Sequence, residues 1–212
     1  MPLLDGIHDY WLFVLTGLLL NLTPGQDTFF IIGSSIAHGR RVGIASALGV
    51  CTGCLAHTFA AALGLSAILQ TSSTAFTVIK LAGAAYLVYL GIRALASPMT
   101  LPSSRGDSGG VSTRAAFARG ALTNVLNPKV ALFFLALLPQ FIDDGSPAVM
   151  ESFLVLGFTF IATGTVWCVV LAVAAARVRS TFVARPAAYT WLTRASGALF
   201  IALAAKLAVT ER

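Results

Sequence analysis

The sequence predicts an all-α integral membrane protein, with six transmembrane helices arranged as two inverted three-helix repeats. Three observations support this fold class. Of the 212 residues, 57% are hydrophobic and only 10% are charged, whereas soluble domains carry about a quarter charged residues. The apolar residues form six long runs, each near the ~20 residues that cross a bilayer as a helix. The two halves of the chain also share proline-containing patterns in the same order.

The same composition excludes several functional classes. Charged residues are too few to cover the surface of a soluble enzyme, and the apolar runs are not typical of a disordered chain. The net charge of +6 comes from short basic clusters rather than from the continuous basic face that nucleic acid requires. The sequence contains no phosphate-binding loop, dinucleotide fingerprint, nucleophile elbow or metal-ligand cluster. We therefore expect a lipid bilayer as the surroundings, and no nucleic acid, metal, cofactor or enzymatic activity.

The apolar runs place the spans along the chain at 10–36, 42–69, 76–96, 117–141, 152–176 and 189–209. The whole chain, 1–212, is predicted to be one transmembrane domain. Its first repeat covers about 1–96 and its second about 117–212. The connecting segment 97–116 is rich in Ser, Gly and Pro, which favours a loop. No Lys or Arg precedes Arg40, so the first span lacks the basic region of a signal peptide.

The distribution of basic residues predicts the orientation. Ten of the fourteen Lys and Arg residues lie in the loops that follow spans one, three and five. Because basic loops remain in the cytoplasm, both termini are expected on the outside. An even number of spans agrees with two termini on one side.

The two halves repeat a pattern around a proline. Thr23 and Pro24 precede a Phe pair, and Asn127 and Pro128 precede another at the same offset of 104 residues. Lys80, Gly83 and Ala84 are matched by Arg194, Gly197 and Ala198, at an offset of 114 residues. Each half holds an odd number of spans, so the halves insert in opposite directions. Inverted repeats are typical of secondary transporters, whose sites lie where helices break near the midplane.

Pro24 and Pro128 lie near the middle of spans one and four. Proline removes a backbone donor and clashes with the preceding turn, so it breaks or kinks a helix. Thr23 and Asn127 are residue types that cap helices, and a cap followed by proline is typical of a helix start. Both spans are therefore predicted to be discontinuous. A simple kink is the alternative.

Asp27 and Lys129 follow the two prolines inside apolar spans. A charge at the bilayer centre costs about 2.5–3.5 kcal/mol on insertion scales, and it persists where it faces a cavity or a partner. An acid and a base together predict a site for the ammonium and carboxylate of an amino acid, with Asp27 also taking up protons. The alternative is that the two side chains pair with each other and only hold the repeats together.

Other polar residues lie near the breaks. Asn21, Gln26 and Asn124 flank them and are candidates to cap the half-helices or line the site. His57 in span two is a candidate proton carrier, but a lone membrane histidine is as often a hydrogen bond between helices.

Cys51 and Cys54 form a C-x-x-C pattern in span two. In redox proteins this spacing supports thiol exchange, so a membrane thiol-redox conduit is the alternative function. The simpler interpretation is that both are small apolar residues, packing beside Gly49 and Gly53. Three cysteines, with Cys168, do not indicate a disulfide framework.

An ordered set of short patterns resembles the LysE/RhtB family of bacterial amino-acid exporters. The set comprises Thr23-Pro24-Gly25, Gly39-Arg40-Arg41, Leu48-Gly49, Gly53, His57, Gly83-Ala84, Tyr89-Leu90-Gly91, Asn124, Asn127-Pro128-Lys129, Phe133-Phe134 and Pro139-Gln140-Phe141. The resemblance implies six helices, a bacterial inner-membrane location and export of amino acids driven by the proton gradient. One departure is Gln26, which stands where the family usually has a second proline.

The resemblance implies substrates ranging from lysine and arginine to threonine, homoserine and leucine. A cationic substrate would need a second acid, and Asp27 is the only acid within the predicted spans. We therefore expect a neutral amino acid. A homo-oligomer is compatible with the sequence.

Overall fold

A computed structural model describes residues 6–71, 73–96, 111–143 and 145–177, together with 198, 201–202 and 204–205. Apart from one isolated β-bridge, the regular structure in these residues is helical. The helices are α1 (Tyr10–Leu22), α2 (Gln26–His38), α3 (Arg40–Ala60), α4 (Ser66–Thr71), α5 (Ser73–Ala96), α6 (Thr113–Val125), α7 (Pro128–Leu132) and α8 (Val149–Arg177). A π-helical turn, Ala61–Leu65, joins α3 to α4; another, Phe133–Leu137, and a 3₁₀ turn, Leu138–Phe141, extend α7.

The described helices have the length and the surface of a membrane protein. Arg40–Ile68 and Val149–Arg177 are each long and apolar enough to cross a bilayer. Thr113–Val125 and Pro128–Phe141 together have the same length and apolar character, and their bend fits either a broken third span or a re-entrant loop. Large apolar side chains face outward, including Trp11 at 79% exposure and Val166 at 67%. An extensive apolar exterior suits contact with lipid. The predicted all-α membrane class is confirmed for this part of the chain.

The helix boundaries follow the first five predicted spans closely, with one correction. Helix α6 begins at Thr113, not at 117, so the end of the predicted loop 97–116 is helical. The reason is the hydroxyl of Ser112, which accepts a hydrogen bond from the Ala115 amide at 3.1 Å and caps the helix. The sixth predicted span lies almost entirely outside the described residues, as does 97–110, so six spans and an inverted repeat remain predictions.

The broken helices of the two halves run in opposite directions. Ile7, before α1, forms an antiparallel bridge with Ile142, after α7. The Phe13 ring lies 5.3 Å from that of Phe141. Further along α1, the Leu20 carbonyl accepts a hydrogen bond from Lys129. As α1 advances, its contacts therefore move back toward the start of α7, which is the relation an inverted repeat requires.

Helices α3 and α6 pack side by side through small residues. A Cβ at Gly53 would lie 2.9 Å from the Asn124 Cβ, and one at Gly49 would collide with the Phe117 carbonyl. Only glycine permits such close backbone contact, a common device in membrane helices. This approach brings the end of α6, where the second break begins, against the middle of α3.

A cluster of aromatic rings fills the core beside the breaks. The Phe133 ring lies 4.5 Å from Phe160 and 5.9 Å from Phe13, and Phe134 stacks edge-on against Phe160 at 5.8 Å. These Phe side chains are almost fully buried. The Phe133–Phe134 pair that marks the sequence repeat therefore packs α7 against α1 and α8.

Candidate functional site

The first break separates α1 from α2 at Thr23, Pro24 and Gly25. Thr23 is extended, as a residue before proline is expected to be. Its hydroxyl donates back to the Leu19 carbonyl at 2.7 Å, so it is unavailable to cap α2. Helix α2 begins only at Gln26, and Gly25 occupies the cap position without a side-chain bond. The predicted break is confirmed, but the prediction that Thr23 caps a helix starting at Pro24 is wrong.

The second break follows its prediction in detail. The Asn127 side-chain oxygen accepts a hydrogen bond from the Lys129 amide at 3.0 Å, and Pro128 occupies the first turn of α7. The helical segments on either side are bent by 45°. Asn127 and Pro128 therefore act together as a helix start inside the bundle.

Asp27 lies in the first turn of α2, where the partial positive charge of a helix end stabilises a carboxylate. The Asn124 side-chain amide donates to Asp27 Oδ2 at 2.8 Å. Asp27 Oδ1 and Asn124 Oδ1 are buried and have no hydrogen-bond partner. The site thus holds two buried acceptors that remain available.

Lys129 extends from α7 to the end of α1. Its Nζ donates to the Leu20 carbonyl at 2.9 Å and to the Thr23 carbonyl at 2.7 Å. These are carbonyls at a helix C-terminus, where a cation is favoured. Gly25 lies beside the amine, and a Cβ there would be in van der Waals contact with Nζ at 3.4 Å. An ammonium has three N–H groups, so one remains beyond these two bonds.

Asp27 and Lys129 are not an ion pair. Within the described part of the chain, the acidic and basic side chains that approach within 4.0 Å are Asp143 and His8. Asp27 is held instead by Asn124 of α6, and Lys129 by the carbonyls that end α1. The sequence alternative, in which the two charges pair directly, is therefore not the arrangement observed. Each charge is bound by neutral groups from the other half of the chain.

A cavity lies between the breaks and helices α3 and α8. Its volume is about 40 Å³. A cavity measured in this way needs about 10–15 Å³ to hold one water molecule. It therefore holds a few waters, and a whole amino acid requires it to widen. The lining residues are Asn21, Asp27, Thr28, Val50, Cys51, Cys54, Asn124, Lys129, Val130, Phe160, Ile161, Gly164, Trp167 and Cys168.

The structure brings four of the predicted site residues to this cavity, namely Asn21, Asp27, Asn124 and Lys129. Thr23, Pro24, Gly25, Asn127 and Pro128 shape the breaks behind them. His57 contacts the site indirectly, because its Nε2 donates to the Asn124 carbonyl at 3.0 Å and its ring stacks on Phe134. This is the hydrogen bond between helices that was its alternative role. Gln26 is exposed at the start of α2.

The sequence did not single out the wall contributed by α8. Trp167 and Cys168 line the cavity there, and Gly164 lies opposite Asn21 of α1. The Trp167 indole N–H and the Asn21 amide nitrogen are buried without a hydrogen-bond partner. A tryptophan in the middle of an apolar span was the available signal, since a buried indole N–H normally requires an acceptor.

The three cysteines are buried and free. All of them line the cavity. Cys51 and Cys168 of α8 belong to one apolar cluster, and Cys54 belongs to another. The C-x-x-C spacing therefore places two small side chains one helical turn apart and does not pair them.

Comparison with known proteins complements this geometry. A family model described as LysE type translocator matches residues 18–211. The chain is 30% identical to the leucine efflux protein of Salmonella typhimurium (strain LT2) over 154 residues, and these aligned residues make up 73% of each chain. It is 31% identical over 154 residues to the leucine efflux protein of Enterobacter sp. (strain 638), again 73% of each. No solved structure matches it.

Proposed function

The chain belongs to the LysE type translocator family, and we propose that it exports small neutral amino acids of the leucine type across the bacterial inner membrane in exchange for protons. Amino-acid export, rather than an enzymatic reaction, is the role that the family and the leucine efflux relatives support. The finer statements rest on the cavity between the two breaks.

The observation that carries the proposal is the set of polar groups in that cavity. Asp27 Oδ1 and Asn124 Oδ1 are buried acceptors without partners, and they suit a substrate ammonium. Lys129 retains one N–H beyond its two bonds to α1, and it suits a substrate carboxylate. A buried polar group without a partner costs about 1–3 kcal/mol. Binding a zwitterion removes this cost at both ends of the ligand.

The rest of the lining favours a neutral, apolar side chain. Val50, Val130 and Ile161 contribute aliphatic surface, and Phe160 contributes an aromatic ring. Asp27 is the only acid among the described lining residues, and in this proposal it binds the α-ammonium group of the substrate. A lysine or arginine side chain would leave its own charge without a partner, at a large desolvation cost.

Competition at Asp27 explains how export is coupled to protons. The carboxylate binds the substrate ammonium in one state and a proton in the other, so one displaces the other. In the proposed orientation both termini lie outside, and the breaks lie near the midplane. The cavity widens toward the cytoplasm to load substrate and then toward the outside to release it.

The thiol-redox alternative receives no support. The family and the relatives are transport proteins, and Cys51 and Cys54 do not form a bonded pair.

The direct test compares cells that produce the protein with cells that lack it. Both are loaded with a leucine-containing dipeptide, and leucine is then measured inside and outside. The proposal expects faster appearance of external leucine and a lower internal level in producing cells. Lysine loaded in the same way serves as the comparison substrate. Equal leucine export in both cells would contradict the proposal, and export of lysine alone would contradict its substrate class.

A further inference from the structure

We propose that Asn21 and Trp167 complete the carboxylate subsite together with Lys129, and so act as specificity-determining residues. The inference rests on the proposed function, because it assigns atoms of the same site to the carboxylate of an amino-acid substrate. The ligand chemistry is a carboxylate attached to an α-ammonium group.

The two residues come from different helices and meet at one wall. Asn21 lies in α1, two residues before the first break, and Trp167 lies in α8. Both line the cavity together with Lys129. Gly164 makes the approach possible, because a Cβ there would lie 3.3 Å from the Asn21 amide nitrogen.

Both residues offer donors, and neither donor has an acceptor in the protein. The Asn21 Nδ2 and Trp167 Nε1 groups are buried and unpaired. An indole nitrogen can only donate, so Trp167 requires an oxygen from a ligand or from water. Two neutral donors and one free lysine N–H in the same cavity match the oxygens of a carboxylate, which accepts several hydrogen bonds at once.

The other unpaired groups of the cavity are acceptors, and they lie on different helices from the two donors. Asp27 Oδ1 and Asn124 Oδ1 are acceptors on α2 and α6, whereas the unpaired donors lie on α1 and α8. Among the lining residues, the unpaired acceptors therefore lie on α2 and α6, and the unpaired donors lie on α1 and α8.

The experiment uses the full-length protein in proteoliposomes and measures counterflow of labelled leucine. Two competitors are titrated: unlabelled leucine and 3-methylbutylamine, which is leucine without its carboxylate. Trp167→Phe removes the N–H and keeps an aromatic ring, and Asn21→Leu removes the amide at similar volume. Trp11→Phe is the matched control, because Trp11 is 79% exposed on the outer face of α1.

We expect each cavity variant to weaken competition by leucine about tenfold, the effect of one lost hydrogen bond to a charged group. Competition by 3-methylbutylamine should be unchanged, and Trp11→Phe should resemble the wild type. The ratio of the two competitors is independent of how much protein has folded, so reduced expression does not affect the result.

Equal loss for both competitors would overturn the inference, since the residues would then only shape the cavity. Unchanged leucine competition in both variants would also overturn it, and would leave water as the partner of the two donors. If the wild type itself shows no counterflow with any amino acid, the proposed function fails first and this inference fails with it.

Discussion

Asp27→Asn separates proton coupling from substrate binding. The Asn124 amide donates to Asp27 Oδ2 at 2.8 Å, and an asparagine oxygen accepts the same bond. The new amide nitrogen replaces Oδ1, which has no protein partner, so no existing hydrogen bond is lost. The substitution also removes a buried charge. We therefore expect the variant to fold, and any change in transport reflects the loss of the titratable group.

The expected magnitude follows from the hydrogen bond to the substrate ammonium. A bond to a charged group contributes about 1.5–3 kcal/mol, and the amide nitrogen at the Oδ1 position cannot accept this bond from an ammonium. Its loss corresponds to a KM raised about ten- to a hundredfold. Coupling to protons should be lost completely, because an amide does not bind and release protons at physiological pH.

The assay compares two modes of transport in the same proteoliposomes. With an imposed pH gradient, Asp27→Asn should show no accumulation of leucine above the level reached without a gradient. In leucine exchange at equal pH, it should remain active with the raised KM. Glu151→Gln is the matched control, since it makes the same chemical change at an exposed position in the first turn of α8.

Gradient-driven accumulation at the wild-type level in Asp27→Asn would refute the role of Asp27 in coupling. The assignment to the translocator family would be unaffected, because it rests on the match over residues 18–211.

Three further predictions follow from the site and the sequence. Lys129→Met should raise the KM for leucine about ten- to a hundredfold through loss of one charged hydrogen bond, whereas an unchanged KM in counterflow would exclude Lys129 from the carboxylate. Replacement of the three cavity cysteines by alanine, at Cys51, Cys54 and Cys168, should leave efflux largely intact. Loss of efflux at normal expression would favour thiol chemistry. A periplasm-active reporter should work when fused after Arg212 and fail within 103–110, and the reverse result would invert the topology.

The sequence predicted the second break better than the first for a physical reason. Asn127 is followed directly by Pro128 and the helix, so the cap and the first helical residue are adjacent and local rules apply. At the first break Gly25 intervenes, and the helix begins only after this extended residue. Thr23 also has a competing local bond to the Leu19 carbonyl. Which of two local bonds a hydroxyl makes cannot be read from residue order alone.

The partners of the two charges were also beyond the reach of the sequence. Opposite charges in apolar spans favoured either a direct ion pair or a ligand bound between the two residues. Either arrangement requires that the two side chains face each other. The antiparallel arrangement of α1 and α7 instead brings Lys129 to backbone carbonyls, which no sequence pattern marks. Trp167 was missed because its role depends on where α8 packs, and its span contains no charged residue to draw attention to it.

The two breaks are connected through the same residues that we propose for the substrate. Lys129, next to one break, holds the carbonyl end of α1 at the other break, and Asn124, before the second break, holds Asp27 after the first. A carboxylate bound to the remaining N–H of Lys129 and an ammonium bound to Oδ1 of Asp27 would share these two charges with the bonds that join the halves of the chain. In the proposed mechanism, substrate binding weakens the contact between the halves, and protonation of Asp27 changes the same contact. Coupling requires such a shared element, because a ligand shifts a conformational equilibrium only through contacts that differ between its states.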